Sequence, residues 1–297
     1  MLVILDYFSK YFLKIICNSI KKVIPNSKEI TVAQNYRPWL MQIRPLWLRE
    51  KLFWKLYYQH RGFSSLFENA SLEFAPKIRL NLMPTDISHK QIAFLGFSEL
   101  LPSYRIAQLA KNGGLMVDVG ANYGYYSCIW ADANPKSRVI AFEASPRNFS
   151  ALKLNLIDNG LEAQVSIQQI AVGKERGSLP FTLGPEEQSS WGGLLIDKEN
   201  DAIEVPVVPL DEVFLKSQDD CIEVLKIDVE GADTWVLQGA EQLLRSHKIN
   251  HIFFEENHVR MSALNIKPEE AQNLLRDCGY HLESLGPEQW YASIAVK

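Results

Sequence analysis

The sequence predicts an open α/β sheet of seven strands, mostly parallel, with helices on both faces and an antiparallel hairpin at the carboxyl end. Three observations predict it. Short apolar runs end repeatedly on an acid, at Asp118, Glu143, Asp228 and Glu255; helical stretches separate those runs; and two alternating runs around Gly286-Pro287 close the chain. In such sheets ligands bind outside the carboxyl ends of the strands, where all four acids fall.

The elements follow in order. Met1 to Pro25 places Asp6, Lys10, Lys14, Asn18 and Lys21 on one stripe of a helix and Leu2, Leu5, Phe8, Phe12, Ile15 and Ile16 on the other, which predicts an amphipathic helix. No uninterrupted run there approaches the ~20 apolar residues of a membrane span. Trp39 to Arg61 interleaves Trp47, Phe53, Trp54, Tyr57 and Tyr58 with Arg44, Arg49, Lys51 and Lys55. Residues 1–75 are therefore expected to form a basic, aromatic-rich helical extension, and residues 76–297 the main domain. Two roles stay open for residues 1–61: a peripheral membrane or subunit contact, or helices packed on the main domain.

Lys77 to Leu82 alternates like a short strand, Pro84 and Asp86 turn the chain, and Ser103 to Lys111 reads as a helix stopped by Asn112, Gly113 and Gly114. Met116 to Ser127, MVDVGANYGYYS, is a strand that stops on Asp118 and turns through Gly120, Asn122 and Gly124 into a helix reaching about Asp132. Glycines admit close approach of backbone to a ligand, and the helix start offers unpaired N–H groups. The G-x-N-x-G spacing is not the G-x-G-x-x-G of dinucleotide enzymes, and Asp118 would repel a pyrophosphate and favour a cation. A tight turn with a satisfied aspartate cap is the alternative.

Arg138 to Phe142 is the second strand, and its terminal Glu143 lies nineteen positions beyond Gly124. An acid so placed accepts hydrogen bonds from ribose hydroxyls, or else serves as an N-terminal charge for the helix from about Arg147 to Asn159. A third strand is expected near Gln164 to Val172. The polar stretch Gly173 to Asp201 reads as an exposed loop flanked by short strands, with Trp191 either closing over substrate or anchoring the surface. Ile222 to Ile227 then ends in Asp228 and passes Glu230 and Gly231 into a helix reaching about Ser246. Ile249 to Phe254 is the next strand, Pro268 is expected to open a helix, and Tyr280 to Leu285 pairs with Trp290 to Val296.

Composition narrows the function. Residues 1–61 carry 11 Lys and Arg against 3 Asp and Glu, a net +8, and the remaining residues carry 20 against 32, a net −12. A main domain of that charge is poorly suited to nucleic acid. Cys17, Cys128, Cys221 and Cys278 show no metal-ligand spacing, so no metal site is expected and reduced thiols are the simplest reading. A secretory signal needs a positive start and a continuous apolar core, whereas Leu2 to Leu5 is followed by Asp6. The chain is expected to be cytoplasmic, free or peripheral at a membrane.

Four segments carry a family resemblance: VDVGANYGYYS, AFEASPRNFSALKLNLIDNG, AVG at Ala171 to Gly173, and KIDVEGADTWVLQGA from Lys226 to Ala240. They resemble the S-adenosylmethionine-dependent methyltransferases of the FkbM family, and TDISHKQIAFLGFSEL from Thr85 is similar to the lead-in of some members. The resemblance implies a Rossmann-like class I methyltransferase with S-adenosylmethionine as cofactor. It implies that Asp118, Gly120, Asn122 and Gly124 lie against the methionine part, that Glu143 holds the ribose, that Gln169 to Ala171 lie near the adenine, and that Asp228 sits beside the sulfonium and the acceptor.

The acceptor implied is a hydroxyl on a small molecule, glycan or lipid-linked intermediate. Methylating it needs a base, for which Asp228, Glu230 and Glu255 are the candidates. Asp228 could instead cap the following helix, and Glu230 could offset its dipole. His89 and His258 are read as satisfied, non-catalytic histidines. No N/D-P-P-Y/F segment stands where IDVEG does, which argues against methylation of nucleobase amino groups. Two other readings are an NAD(P)-dependent oxidoreductase on a similar sheet, and a membrane-associated binding protein with a vestigial cofactor fold.

Overall fold

The computed structural model describes residues 39–56, 66–185, 188–196, 201–214 and 221–294, so the expected helix over Met1 to Pro25 lies outside the described residues. In the extension, α1 spans Leu46–Leu56. Its Leu52 and Phe53 are buried, and so is Arg49, whose guanidinium donates to the Leu95 carbonyl (2.7 Å) and to Glu73 (2.9 Å). A buried arginine is tolerable only with such partners. They dock α1 on the helix that ends at Leu95.

Two short strands, β1 (Ala70–Ser71) and β2 (Arg79–Leu80), pair with each other, so the strand expected over Lys77 to Leu82 is two residues long. Helix α2 (Ile87–Leu95) is capped by Asp86, whose side chain accepts from the N–H groups of Ser88 and His89. Helix α3 (Leu100–Leu109) begins three residues earlier than expected and tightens into a 3₁₀ turn over Ala110–Asn112.

The central sheet starts with β3 (Leu115–Val119), followed by α4 (Tyr125–Ala133), β4 (Arg138–Phe142), α5 (Pro146–Asp158) and β5 (Val165–Gln168). All five residues of β3 are buried, as befits a strand covered on both faces. Helix α5 opens with Ser145 as its cap and Pro146 in the first turn. The expected third strand is broken: β5 stops at Gln168, and β6 (Ala171–Val172) leaves for a second sheet.

That second sheet has the order β6, β9 (Ile203–Val208), β7 (Gly177–Thr182), β8 (Gly193–Leu194). It is built from the stretch read as a loop between short strands. Its buried Phe181, Leu194, Val205 and Val207 cluster with Met261, Leu264 and Ile266. A fully buried side chain of this size stabilises by about 1.5–3 kcal/mol, enough in sum to hold the small sheet over the edge of the large one.

After α6 (Leu210–Phe214) the central sheet resumes with β10 (Ile222–Ile227). The single helix expected up to Ser246 is two, α7 (Asp233–Gln238) and α8 (Glu241–Arg245). The break at Gly239 has a steric cause: a side chain there would lie 2.1 Å from the Gly173 carbonyl oxygen. The AVG and LQGA segments thus touch. Then come β11 (Ile249–Glu255), α9 (His258–Ala263), α10 (Glu270–Asp277) and the hairpin β12 (Tyr280–Gly286) and β13 (Gln289–Ile294). Pro268 precedes α10 and does not open it, because Glu269 at the boundary holds a left-handed conformation, φ 62°.

The seven strands run in the order β12, β13, β11, β10, β3, β4, β5, parallel from β11 through β5, with the hairpin antiparallel. The chain travels outward from β3 through β4 to β5, then returns to the other side of β3 as β10. That reversal makes the carboxyl ends of β3 and β10 the switch point, where open α/β sheets bind ligands.

Candidate functional site

The cleft at the switch point begins where β3 ends. Gly120 turns there with φ 79°, and a methyl group on it would lie 2.0 Å from the carbonyl oxygen of Asp228, the residue that ends β10. Only glycine lets the two strand ends close, and the Asp228 N–H donates to the Val119 carbonyl at 3.0 Å. The resulting cleft is lined by Gly120, Asn122, Glu143, Ala144, Asn148, Ile170, Ala171, Leu194 and Asp228, among others.

Glu143 sits at the base with both carboxylate oxygens engaged by backbone, Oε2 accepting from the Asn122 N–H and Oε1 from the Ser145 N–H, each at 2.8 Å. Burial pushes it up to about 7 against the pull of those two donors. Asp118 differs from its expected place. Its side chain is buried beneath α4, accepts from the Ser127 hydroxyl at 2.5 Å, and does not line the cleft. Burial, eased by Ser127 and Lys226, raises it to about 6. Gly124 caps α4 and Asn122 turns with φ 50°, so these two shape the turn. Gln169 is exposed beyond the end of β5, while its neighbours Ile170 and Ala171 line the cleft.

The roof was not anticipated. Ser189 donates its N–H to Asp86 (2.5 Å) and accepts from the Asn148 side chain (3.1 Å), while the guanidinium groups of Arg147 and Arg260 hold the carbonyls of Leu183 and Trp191. Trp191 stays half-exposed above this strap. Asn122, Asn148 and Ser189 line the cleft, yet Oδ1 of Asn122, Oδ1 of Asn148 and Oγ of Ser189 are buried with no partner among the described residues. A buried orphan costs about 1–3 kcal/mol, so three in the lining of one cleft point to a polar ligand. Asn148 stands inside the SPRNF segment, and its place three residues after the Ser145 cap is the signal that could have found it.

Beyond Asp228 the cleft opens on a cluster of acids around one lysine. Lys226 lies under the surface with its ammonium 3.3 Å from Asp228 and 5.2 Å from the centre of the Tyr126 ring. Burial opposes its charge, but Asp228, Glu99, Asp233 and Asp118 together hold it above the ordinary range. Glu99, which the sequence did not single out, accepts from the Tyr126 hydroxyl (2.7 Å) and from the Gln289 amide. Gln289 is the register partner of Glu255 across β13 and β11.

The three candidate bases come together here in different settings. Asp228 is paired with Lys226 and faces the cleft. Glu230 leaves the strand at φ 53° and accepts from Asn257 (3.3 Å), with burial and then Asp228 raising it to about 8. The carboxyl group of Glu255 accepts no hydrogen bond from the described residues, and burial, Asp228, Asp233 and Glu99 raise it to about 9. Asp228 does not cap the following helix, whose cap residue Ala232 makes no side-chain cap bond; Asp233 in its first turn instead accepts from the N–H groups of Val229 (3.1 Å) and Glu255 (2.8 Å) and ties the ends of β10 and β11 together. His89 is buried, its Nδ1 accepting from the Met83 N–H, and burial lowers it. His258 is exposed.

This cluster has a consequence for stability. Asp118, Glu143, Asp233, Glu230 and Glu255 titrate near 4 when unfolded and at about 6, 7, 7, 8 and 9 in the fold. The fold therefore holds protons that the unfolded chain has released, and stability present below about pH 4 is lost progressively as pH rises toward 9. Thermal melts from pH 5 to 9 should show Tm falling with pH; a rising Tm would contradict these environments.

The family model described as the methyltransferase FkbM domain matches residues 118–282. The chain belongs to the FkbM methyltransferase family. Relatives of this FkbM protein include methyltransferase sdnD of Sordaria araneosa, 28% identical over 168 residues, covering 47% of this chain and 64% of that protein. The hexuronic acid methyltransferase AglP of Haloferax volcanii is 26% identical, covering 49% and 57%. The 31-O-demethyl-FK506 methyltransferase FkbM of Streptomyces tacrolimicus is 28% identical, covering 44% and 61%. The matches thus span about three-fifths of the length of these relatives.

The residues present fit the cofactor expected of the family. Glu143 retains acceptor capacity for ribose hydroxyls, the orphaned Asn148 and Ser189 atoms await polar partners, Ala144, Ile170 and Leu194 supply an apolar slot for a base, and Asp228 offers a carboxylate to a cation. Among the described residues no group of three or more His, Cys, Asp or Glu side chains is arranged to hold a metal ion.

Proposed function

We propose that this protein is an S-adenosylmethionine-dependent O-methyltransferase acting on a hydroxyl of a small molecule, glycan or lipid-linked intermediate. The observation that carries the reading is the switch-point cleft itself, lined by Glu143 and by the Asp228 carboxylate, which is backed by several acids. The bound cofactor supplies an electrophilic methyl group on a cationic sulfur. Glu143 and the turn after β3 orient it, Asp228 contributes a charge that favours the cation, and the strap over residues 188–194 excludes water.

Proton removal from the acceptor falls to Glu255. Its carboxyl is raised further than that of Glu230 and accepts no hydrogen bond from the described residues, and the backbone N–H beside it is fixed by Asp233. Asp228, paired with Lys226, serves binding and alignment, since a carboxylate that favoured the cation too strongly would oppose its discharge. A relative named for a 31-O-demethyl substrate supports an oxygen acceptor.

The test is to incubate the protein and methyl-labelled cofactor with a small-molecule extract of its source cells. Label recovered in a base-stable methyl ether supports the proposal. Label found only in a base-labile methyl ester, or on nitrogen, overturns the hydroxyl assignment.

A further inference from the structure

Helix α1 buries one face and exposes side chains on the other. Arg49, Leu52 and Phe53 point inward, with Phe53 against Phe94 of α2, while Trp47, Lys51, Trp54 and Lys55 are exposed. Spacings of four, three and one residues put these four on a single stripe. Of the four basic residues from Arg44 to Lys55, Arg44 and Arg49 are both committed to Glu73, at 2.5 and 2.9 Å. Lys51 and Lys55 form no ion pair among the described residues. The helix has one acid, Glu50, whose partial burial raises its carboxyl.

We propose that this stripe is a peripheral attachment site for an anionic lipid bilayer, with the Trp47 and Trp54 rings at headgroup level and Lys51 and Lys55 on the lipid phosphates. Indoles are amphipathic and settle at the membrane boundary, and lysine stems lie along apolar surface while their ammonium groups reach outward. Exposed tryptophans at 56% and 46% on one helix face, flanked by two lysines, match that boundary in both polarity and charge.

Charge argues against the chain's own amino-terminal segment as the occupant. Residues 1–38 carry six Lys and Arg against two acids, so they would repel Lys51 and Lys55. The same excess, +8 over residues 1–61, adds to attraction by an anionic surface. The proposal is independent of what the cleft binds.

The experiment is flotation of the full chain with vesicles of phosphatidylcholine alone and with about a third phosphatidylserine. The chain is expected to float with the anionic vesicles, weakly with the neutral ones, and less as salt is raised. Lys51→Ala with Lys55→Ala should weaken partitioning on the order of tenfold or more. Trp47→Ser with Trp54→Ser should abolish it while the protein stays folded, with thermal melts shifted modestly at most, since Trp54 also packs edge-on against Phe53; Trp47→Ser alone, at the more exposed position, should weaken partitioning with its melt unchanged. Four results would overturn the proposal: no flotation, equal flotation with neutral vesicles, variants that float like the parent, or a dimer that the tryptophan variant splits while nothing floats.

Discussion

Glu255→Gln is expected to lower kcat by about 10²–10³ while leaving cofactor affinity within a few-fold of the parent. Burial and the charges of Asp228, Asp233 and Glu99 hold this carboxyl protonated until about pH 9 in the free protein, and glutamine reproduces the shape and neutrality of that protonated form. Binding therefore survives. What glutamine lacks is the ability to accept the acceptor's proton, so the loss should appear in turnover, and the alkaline-rising limb of the parent's pH profile should vanish. Steady-state kinetics across pH, with affinity measured separately, decide it. Glu230→Gln should cost less, because Asn257 already engages that side chain. A larger loss from Glu230→Gln than from Glu255→Gln would reverse the assignment.

Gly120→Ala is expected to damage fold and site together. The added methyl would lie 2.0 Å from the Asp228 carbonyl oxygen and 2.9 Å from its carbon, at a φ of 79° that side chains rarely adopt. Overpacking and left-handed strain combine to about 3–5 kcal/mol. For a domain of this size that is a fall in Tm of roughly 10 °C, and the ends of β3 and β10 must part to relieve the clash. The cofactor should then no longer raise Tm. A variant that melts like the parent, or is still stabilised by the cofactor, would show that the two strand ends do not meet as described.

Much of this was legible in the sequence, and the reasons are local. Strand ends were marked by acids after buried runs, and the glycine turn by residues that only close approach explains. The hairpin was visible from Gly286-Pro287. Where the expectation failed, the cause was a contact remote in sequence. The helix after Asp233 breaks because Gly239 meets Gly173, and the strand after Gln164 divides because Ala171 and Val172 pair with Val207 and Val208.

The site divides in the same way. Glu143 and Asp228 were visible because each follows its strand directly, and Asn122 because it stands between the two glycines of the turn after β3. Asp118 was placed on the correct turn, but strand alternation, which spacing in one strand cannot resolve without its neighbours, turns its side chain toward Ser127 and Lys226. Asn148 and Ser189 at the cleft, and Glu99 and Gln289 in the polar cluster around Lys226, come from four separate segments that only the folded chain brings together. Asp233, which spacing did not single out, ties the ends of β10 and β11, and the helix cap considered for Asp228 is filled by no side chain.

Calorimetric titration at pH 8 with S-adenosylmethionine, S-adenosylhomocysteine and NAD, repeated in two buffers of different ionisation heat, tests the central claim most directly. A cation placed beside Asp228 lowers the neighbouring carboxyls that sit at about 8 and 9, so binding the sulfonium compound should release about half a proton or more. The neutral thioether should bind the same cleft and release markedly less, and NAD should give no heat. Heat with NAD and none with either sulfur compound would contradict the account.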